Sequence, residues 1–138
     1  MLPSIHHVLE TALYCEDLRQ TAAFYKQLLN VEPMLEGARL VALDAGGATV
    51  LLLFQRERTT EPLETPTGVV PAHDGSGPSH FAFAIEAADL AAWEARLAAL
   101  DIAIESRVSW TGGGRSLYFR DPDGRSVELA TRGTWPNY

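Results

Sequence analysis

An order of strands and helices that occurs twice is the feature that most constrains how this chain can fold. Asp17 and Asp89, which lie 72 positions apart, each begin a stretch with apolar residues at helical spacing. The same shift of 72 positions carries Leu18, Tyr25 and Leu28 onto Leu90, Leu97 and Leu100. In both halves a strand precedes the helix and further strands follow it, and neither half is large enough to be stable alone. We therefore expect an α+β protein of two βαβββ modules combined in one structure.

The modules have predicted bounds of about 5–55 and 79–132 within a single domain of residues 1–138, and residues 56–78 connect them. Strands are predicted over 8–15, 39–44, 48–54, 80–85, 102–108, 116–120 and 126–130. The first helix is predicted from the N-cap Asp17 to Asn30, and Asp89 and Leu90 open the second. The connection holds four prolines, so both a flexible linker and a lid over a cavity remain open as interpretations.

Composition excludes several classes of protein. Hydrophobic residues make up 46% of the chain and charged residues 21%, which is typical of a globular domain. With 18 acidic and 11 basic residues the formal charge is −7, and no basic patch would favour a nucleic acid as partner. No apolar run is long enough for a membrane span or a signal peptide. We expect a cytoplasmic protein without nucleic-acid or membrane partners, and the single cysteine, Cys15, as a core residue.

Three of the predicted strands share an unusual pattern of side chains. Residues two apart in a strand face the same way, so Phe81 and Phe83 lie on one face and His80 and Ala82 on the other. Each strand presents a residue that can bind a metal, followed two positions on by alanine: Glu10 and Ala12, His80 and Ala82, Glu128 and Ala130. Alanine at that position leaves room, as the wall of a cavity would require.

Glu10 and Glu128 are unusual because a carboxylate inside an apolar strand is costly to bury without a partner. A divalent cation offsets that cost, and two carboxylates with one imidazole can form a facial set for Zn²⁺, Mn²⁺, Fe²⁺, Co²⁺ or Ni²⁺. The sequence therefore predicts a metal site of Glu10, His80 and Glu128. The alternatives are a half-exposed sheet with both glutamates in water, or His6 or His7 in place of Glu10. The remaining histidine, His73, is predicted to be exposed to solvent.

A glycine-rich segment follows the strand predicted over 102–108. The segment Trp110-Thr111-Gly112-Gly113-Gly114-Arg115-Ser116 is either a flexible turn or a loop whose backbone N–H groups approach an anion. It is not a P-loop, because the Lys-Ser/Thr pair after the last glycine is missing. If the segment borders the cavity, Arg115 could hold a substrate carboxylate or phosphate.

Four segments together resemble the vicinal oxygen chelate superfamily, which groups glyoxalase I, bleomycin- and fosfomycin-resistance proteins and extradiol dioxygenases. They are Leu9-Glu10-Thr11-Ala12-Leu13-Tyr14, Asp17-Leu18 with Phe24-Tyr25, Gly77-Pro78-Ser79-His80-Phe81-Ala82-Phe83, and Tyr118-Phe119-Arg120-Asp121-Pro122-Asp123-Gly124-Arg125-Ser126-Val127-Glu128-Leu129. The resemblance implies a curled, cavity-lining mixed sheet around a metal, with ligands at His80, Glu128 and, counting back from Asp17-Leu18, Glu10. Many members have histidine at that last position, so Glu10 argues against extradiol cleavage. The fourth ligand of glyoxalase I would fall near Leu51 in an apolar stretch, which argues against that activity.

The resemblance also implies a function. Two oxygens of a small metabolite would chelate a Lewis-acid metal. Glu10 or Glu128 would then dissociate from the metal and act as the base that removes a proton. This would be a lyase, isomerase or dioxygenase type of enzyme, and family members commonly form homodimers. The alternative is a binding protein of the bleomycin-resistance type that sequesters a small molecule. Aromatic residues would line its cavity, and the candidates for contact with substrate or ligand are Tyr14, Trp110, Tyr118 and Trp135, beside Arg115.

Overall fold

A helix and a four-stranded mixed sheet occur twice in the computed structural model, which describes all 138 residues. The two copies are separate units, Met1–Ser76 and Gly77–Tyr138. The predicted α+β class and the mixed sheets are therefore confirmed. No helix has both the length and the apolar character that crossing a membrane requires.

Each unit repeats the same order of elements. The first contains β1 (Glu10–Cys15), α1 (Leu18–Leu29), β2 (Leu35–Glu36), β3 (Leu40–Asp44), β4 (Val50–Gln55), and a separate hairpin of β5 (Leu63–Thr65) and β6 (Gly68–Val70). The second contains β7 (His80–Ala84), α2 (Leu90–Ala99), β8 (Ser106–Ser109), β9 (Arg115–Arg120) and β10 (Ser126–Ala130). The strand orders are β1-β4-β3-β2 and β7-β10-β9-β8. In each sheet the first strand pairs in parallel with the last, and the other pairs are antiparallel.

Local sequence explains both ends of α1. The Asp17 side chain accepts a hydrogen bond from the backbone N–H of Gln20 at 3.1 Å, as an N-cap does. Asn30 ends the helix in the left-handed conformation, with φ of 54°. The side of the helix that is buried packs on β1, β3 and β4 and consists of Leu18, Thr21, Ala22, Tyr25 and Leu28.

Two predicted strands begin later in the structure than in the sequence analysis, and one predicted helix cap is not formed. The first strand begins at Glu10 rather than at residue 8, because the parallel ladder starts where β4 starts, at Val50. The strand predicted over 102–108 begins only at Ser106, which is the partner of Tyr118 in β9. Asp89 makes no side-chain cap, since a short 3₁₀ turn, Ala87–Asp89, leads into α2.

The connection between the modules is more structured than its composition suggests. It contains the β5–β6 hairpin, which the sequence did not predict. After the hairpin, the backbone N–H of His73 donates to the carbonyl of Thr59 at 2.9 Å, and the buried Thr59 hydroxyl donates to the carbonyl of His73. Two hydrogen bonds in opposite directions therefore fix the position of His73.

Candidate functional site

The second sheet separates a packed face from a face that carries polar side chains. On the packed face Val127 and Leu129 of β10 are essentially fully buried. The register of β7, β9 and β10 places five other side chains on the opposite face, which we call the polar face: His80, Ala82, Ser116, Tyr118 and Glu128. The predicted alternation of β7 and β10 is therefore the one observed.

His80 and Glu128 are in contact on this face. Nε2 of His80 lies 3.2 Å from Oε2 of Glu128. The carboxylate side chain is only 8% exposed, whereas the imidazole is 50% exposed. A nearly buried carboxylate thus lies beside a half-exposed imidazole.

The hydrogen bond on the other ring nitrogen of His80 determines what Nε2 can do. Nδ1 lies 2.9 Å from the carbonyl oxygen of Ser126, and a carbonyl only accepts, so Nδ1 carries the hydrogen. In the neutral imidazole, Nε2 therefore presents a lone pair to Glu128. Two acceptors at this distance require a proton or a cation between them.

The spacing of the two donor atoms fits a shared metal ion. Nitrogen and oxygen ligands at about 2.0–2.2 Å from one ion stand about 2.9–3.5 Å apart. The observed 3.2 Å between Nε2 and Oε2 lies in that range. A backbone carbonyl that holds the second nitrogen of a ligating histidine is also the usual outer-shell partner of such a ligand.

The second oxygen of Glu128 belongs to a chain of hydrogen bonds. The Ser116 hydroxyl donates to Oε1 of Glu128 at 2.6 Å, and the indole N–H of Trp110 donates to the Ser116 oxygen at 2.8 Å. Ser116 was not among the predicted site residues. Its position opposite Ala130, on the same face as Tyr118, follows from alternation in β9, so the strand pattern could have identified it.

Tyr118 lies directly opposite Glu128 in the antiparallel pair of β9 and β10. Its ring stacks on His80, with centroids 6.1 Å apart and planes at 28°. Burial raises the pKa of the Tyr118 phenol, and the charge of Glu128 and a hydrogen bond to it raise that pKa further. The phenol is therefore protonated over the physiological range and contributes to the surroundings of the carboxylate.

Glu10, the third predicted ligand, is the first residue of β1 in the other unit, and it is exposed. It pairs with Val50 at the start of β4, as His80 pairs with Ser126 at the start of β10. No group of three His, Cys, Asp or Glu side chains is arranged to hold a metal ion. Of the three predicted ligands, His80 and Glu128 are the two that the structure brings into contact.

The glycine-rich segment has a different role from the predicted anion loop. A Cβ on Gly112 would stand 2.5 Å from the carbonyl oxygen of Gly133, and one on Gly114 would meet the backbone of Gly133 and Thr134. The glycines thus allow the turn to close on the segment after β10. Arg115 lies on the face of Leu117 and Phe119, opposite to Glu128.

Tyr14 belongs to an aromatic cluster in the first unit. Its hydroxyl lies 2.6 Å from Nδ1 of His73, its ring stacks on Phe54 at 5.9 Å, and His73 meets Phe54 edge-on at 4.8 Å. The predicted solvation of His73 is wrong, because the ring is half-buried between these two side chains. Burial raises the pKa of the Tyr14 phenol, with a smaller contribution from the charge of Asp74. No local pattern could have revealed a contact between residues 59 positions apart.

The chain is similar to known proteins over nearly its whole length. It is 29% identical over 128 residues to metallothiol transferase FosB of Bacillus licheniformis. The alignment covers 92% of this chain and 74% of that protein. It is 32% identical to the crystal structure of lactoylglutathione lyase from Agrobacterium tumefaciens, with a TM-score of 0.86 and coverage of 97% of this chain and 99% of that one. An integron cassette protein of V. cholerae, 24% identical with a TM-score of 0.73 over 96% of this chain and 99% of that one, shares the fold.

The family match agrees with these similarities and with the repeated units. Residues 4–129 match the family described as the Glyoxalase/Bleomycin resistance protein/Dioxygenase superfamily. The match covers both sheets and includes the segments on which the resemblance was based. The chain therefore belongs to the Glyoxalase/Bleomycin resistance protein/Dioxygenase superfamily.

Proposed function

We propose that this protein is a metal-dependent enzyme in which His80 and Glu128 hold a divalent cation and Glu10 is the third ligand. The observation that carries the proposal is the 3.2 Å contact between Nε2 of His80 and Oε2 of Glu128, with the hydrogen of the ring placed on Nδ1. Imidazole and carboxylate donors suit Zn²⁺, Mn²⁺, Fe²⁺, Co²⁺ or Ni²⁺. Relatives named as a metallothiol transferase and a lactoylglutathione lyase support a metal-dependent activity for this chain.

The equivalent places of Glu10 and His80 support the role of Glu10. Each is the first residue of an edge strand that pairs in parallel with its neighbour, and each is exposed and followed two positions on by alanine. The corresponding strands begin the two repeated modules of the family resemblance. We propose further that the protein is a homodimer, as the resemblance implies, so that Glu10 can come from this chain or from a second copy.

The substrate we propose is a small metabolite with two oxygen atoms on neighbouring carbons. One of these carbons is a carbonyl carbon, and the carbon next to it carries an acidic hydrogen. The cation supplies Lewis acidity toward those oxygens. A carboxylate oxygen of Glu10 accepts the proton from that carbon, and the electron pair of the C–H bond moves toward the carbonyl oxygen. Glu10 suits this task better than Glu128, because it is exposed while Oε1 of Glu128 is held by Ser116.

Side chains around the proposed site have roles that follow from their environments. Tyr118 stays neutral because of its raised pKa, and its ring flanks the imidazole of His80. The indole of Trp110, 39% exposed, offers a flat apolar surface to a substrate while its N–H remains bonded to Ser116. We propose a lyase or isomerase type of reaction on a small molecule that these side chains border.

Binding without chemistry is the second candidate, and the aromatic cluster of Tyr14, Phe54 and His73 favours it. The three rings lie within 6 Å of one another, and the half-buried Tyr14 and His73 can meet a planar ligand while Phe54 is buried behind them. A protein of this kind would sequester its ligand and would need neither a cation nor Glu10.

Hydrogen exchange from substrate carbon distinguishes the two functions. The protein loaded with one equivalent of Zn²⁺ is incubated in D₂O with a panel of small α-hydroxy ketones and thiohemiacetals, and deuterium uptake is followed by NMR. We expect catalysed exchange for at least one compound and its loss in Glu10→Gln, with the exposed Glu105→Gln as control. Binding of panel compounds to the protein without exchange in any of them would instead support sequestration.

A further inference from the structure

We propose that Trp110 and Ser116 are positioning residues that determine which oxygen of Glu128 faces the cation. This inference rests on the proposed metal site at His80 and Glu128. The inference gives a structural role to the glycine-rich turn between β8 and β9, which the proposed chemistry does not use.

The direction of the hydrogen bonds is fixed by the chemistry of the groups. An indole N–H can only donate, so at 2.8 Å from Nε1 of Trp110 the Ser116 oxygen is the acceptor. The hydroxyl has a single hydrogen, and the 2.6 Å contact directs it to Oε1 of Glu128. Trp110 therefore orients Ser116, and Ser116 orients the carboxylate.

The consequence is a difference between the two oxygens of Glu128. Oε1 is occupied by Ser116, whereas Oε2 faces Nε2 of His80 at 3.2 Å. Ser116 is 1% exposed, so water has little access to take over its hydrogen bond if the hydroxyl is removed. Tyr118 also bonds Glu128 from β9, the antiparallel partner of β10.

The glycine-rich turn fixes the position of Trp110, so that its indole N–H reaches Ser116. The backbone N–H of Trp110 donates to the carbonyl of Gly114 at 2.8 Å, and that of Gly113 donates to the carbonyl of Trp110 at 3.0 Å. Gly113 has φ of 91°, which few other residues adopt. Gly112 and Gly114 let the turn pack on the backbone of Gly133. The turn is thus a support for the indole rather than a mobile loop.

The experiment measures metal affinity in the full chain by competition of the metal-free protein with a chromophoric Zn²⁺ chelator. Trp110→Phe keeps the ring but removes the N–H, and Ser116→Ala removes the hydroxyl. We expect each to weaken Zn²⁺ binding by about 10–100-fold, the usual effect of removing an outer-shell partner. Ser116→Thr keeps a hydroxyl and should restore most of the affinity. Trp93→Phe, at an indole on α2, is the matched control and should bind as the wild type does.

A spectroscopic measurement separates positioning from a general loss of structure. The visible absorption of the Co²⁺-loaded protein reports ligand geometry, and we expect Trp110→Phe to change the band positions and intensities while far-UV circular dichroism stays unchanged. Wild-type affinity and an unchanged cobalt spectrum in both Trp110→Phe and Ser116→Ala would overturn the inference and leave the proposed function standing. Failure of the wild-type protein to bind Zn²⁺ would overturn both.

Discussion

Leu52 occupies in the first sheet the position that Glu128 occupies in the second. Leu52 is the partner of Ala12 in the parallel pair β1–β4, and Glu128 is the partner of Ala82 in the parallel pair β7–β10. The sequence placed this position near Leu51, one residue away. Leu51 instead lies on the face that packs against α1, and only 1% of it is exposed. The first sheet thus repeats the backbone of the second without its buried carboxylate.

The two neighbouring leucines should respond very differently to truncation. We expect Leu51→Ala to lower the free energy of unfolding by about 2–5 kcal/mol, because it leaves a cavity in a fully packed layer. Leu52→Ala removes a side chain that is already partly exposed and should cost about 1 kcal/mol or less. Urea unfolding followed by circular dichroism measures both. Equal losses for the two variants would contradict the observed register of β4.

The pKa of Tyr14 offers a prediction about pH. Because burial and then Asp74 raise that pKa above 10.0, the folded state favours the neutral phenol. The corresponding stabilisation is fully present below pH 10.0 and is lost as pH rises through the raised pKa. Asp74→Asn should lower the pKa of Tyr14 toward its ordinary value without reaching it, since burial remains.

Ultraviolet titration at 295 nm, compared with that of Tyr14→Phe to assign the transition, measures this pKa. Asp44→Asn, at an exposed aspartate of the same unit whose charge does not act on Tyr14, is the control and should leave the Tyr14 transition unchanged. An Asp74→Asn titration identical to that of the wild type would show that the charge of Asp74 does not act on Tyr14.

The turn between β9 and β10 contains a buried ion pair. Nη1 of Arg125 lies 2.7 Å from Oδ2 of Asp121, and these side chains are 3% and 0% exposed. Arg125→Met would leave the carboxylate buried without its charged partner, so we expect a loss of about 3–5 kcal/mol in the free energy of unfolding. Arg120→Met breaks the exposed pair with Glu105 and should change stability little. Chemical denaturation of the two variants under the same conditions gives the comparison, and a similar small loss in both would contradict it.

Close packing of the glycine-rich turn predicts a position-specific effect of alanine. A Cβ on Gly114 would collide with the backbone of Gly133 and Thr134, which has no room to move without displacing the segment after β10. We expect Gly114→Ala to lower the melting temperature and to increase amide hydrogen exchange at residues 131–134. Gly68→Ala, where nothing lies within 4 Å, is the control. Unchanged exchange in Gly114→Ala would mean that the turn does not depend on this contact.

Short-range chemistry made much of the fold predictable. Asp17 and Asn30 mark the ends of α1 because capping depends on neighbouring residues, and Gly124 with φ of 79° closes the predicted turn. Alternation within single strands likewise placed His80 and Glu128 on one face. These features are encoded within a few residues of where they act.

The rest depends on which distant segments meet. The contact of Tyr14 with His73 spans 59 positions, and the bond from Ser116 to Glu128 depends on the register of β9 against β10. The glycines before Arg115 fit a flexible turn and an anion loop equally well in sequence, while their close packing on Gly133 exists only in the folded chain. A single sequence holds no signal for such contacts until the strand partners are known.

The central claim is that His80 and Glu128 together hold a divalent cation, and calorimetric titration of the metal-free protein with Zn²⁺ tests it most directly. We expect one Zn²⁺ per chain for the wild type and for Glu105→Gln, and loss of this binding in both His80→Ala and Glu128→Gln, each folded by circular dichroism. Zn²⁺ binding with wild-type stoichiometry and affinity in His80→Ala and Glu128→Gln would contradict the claim.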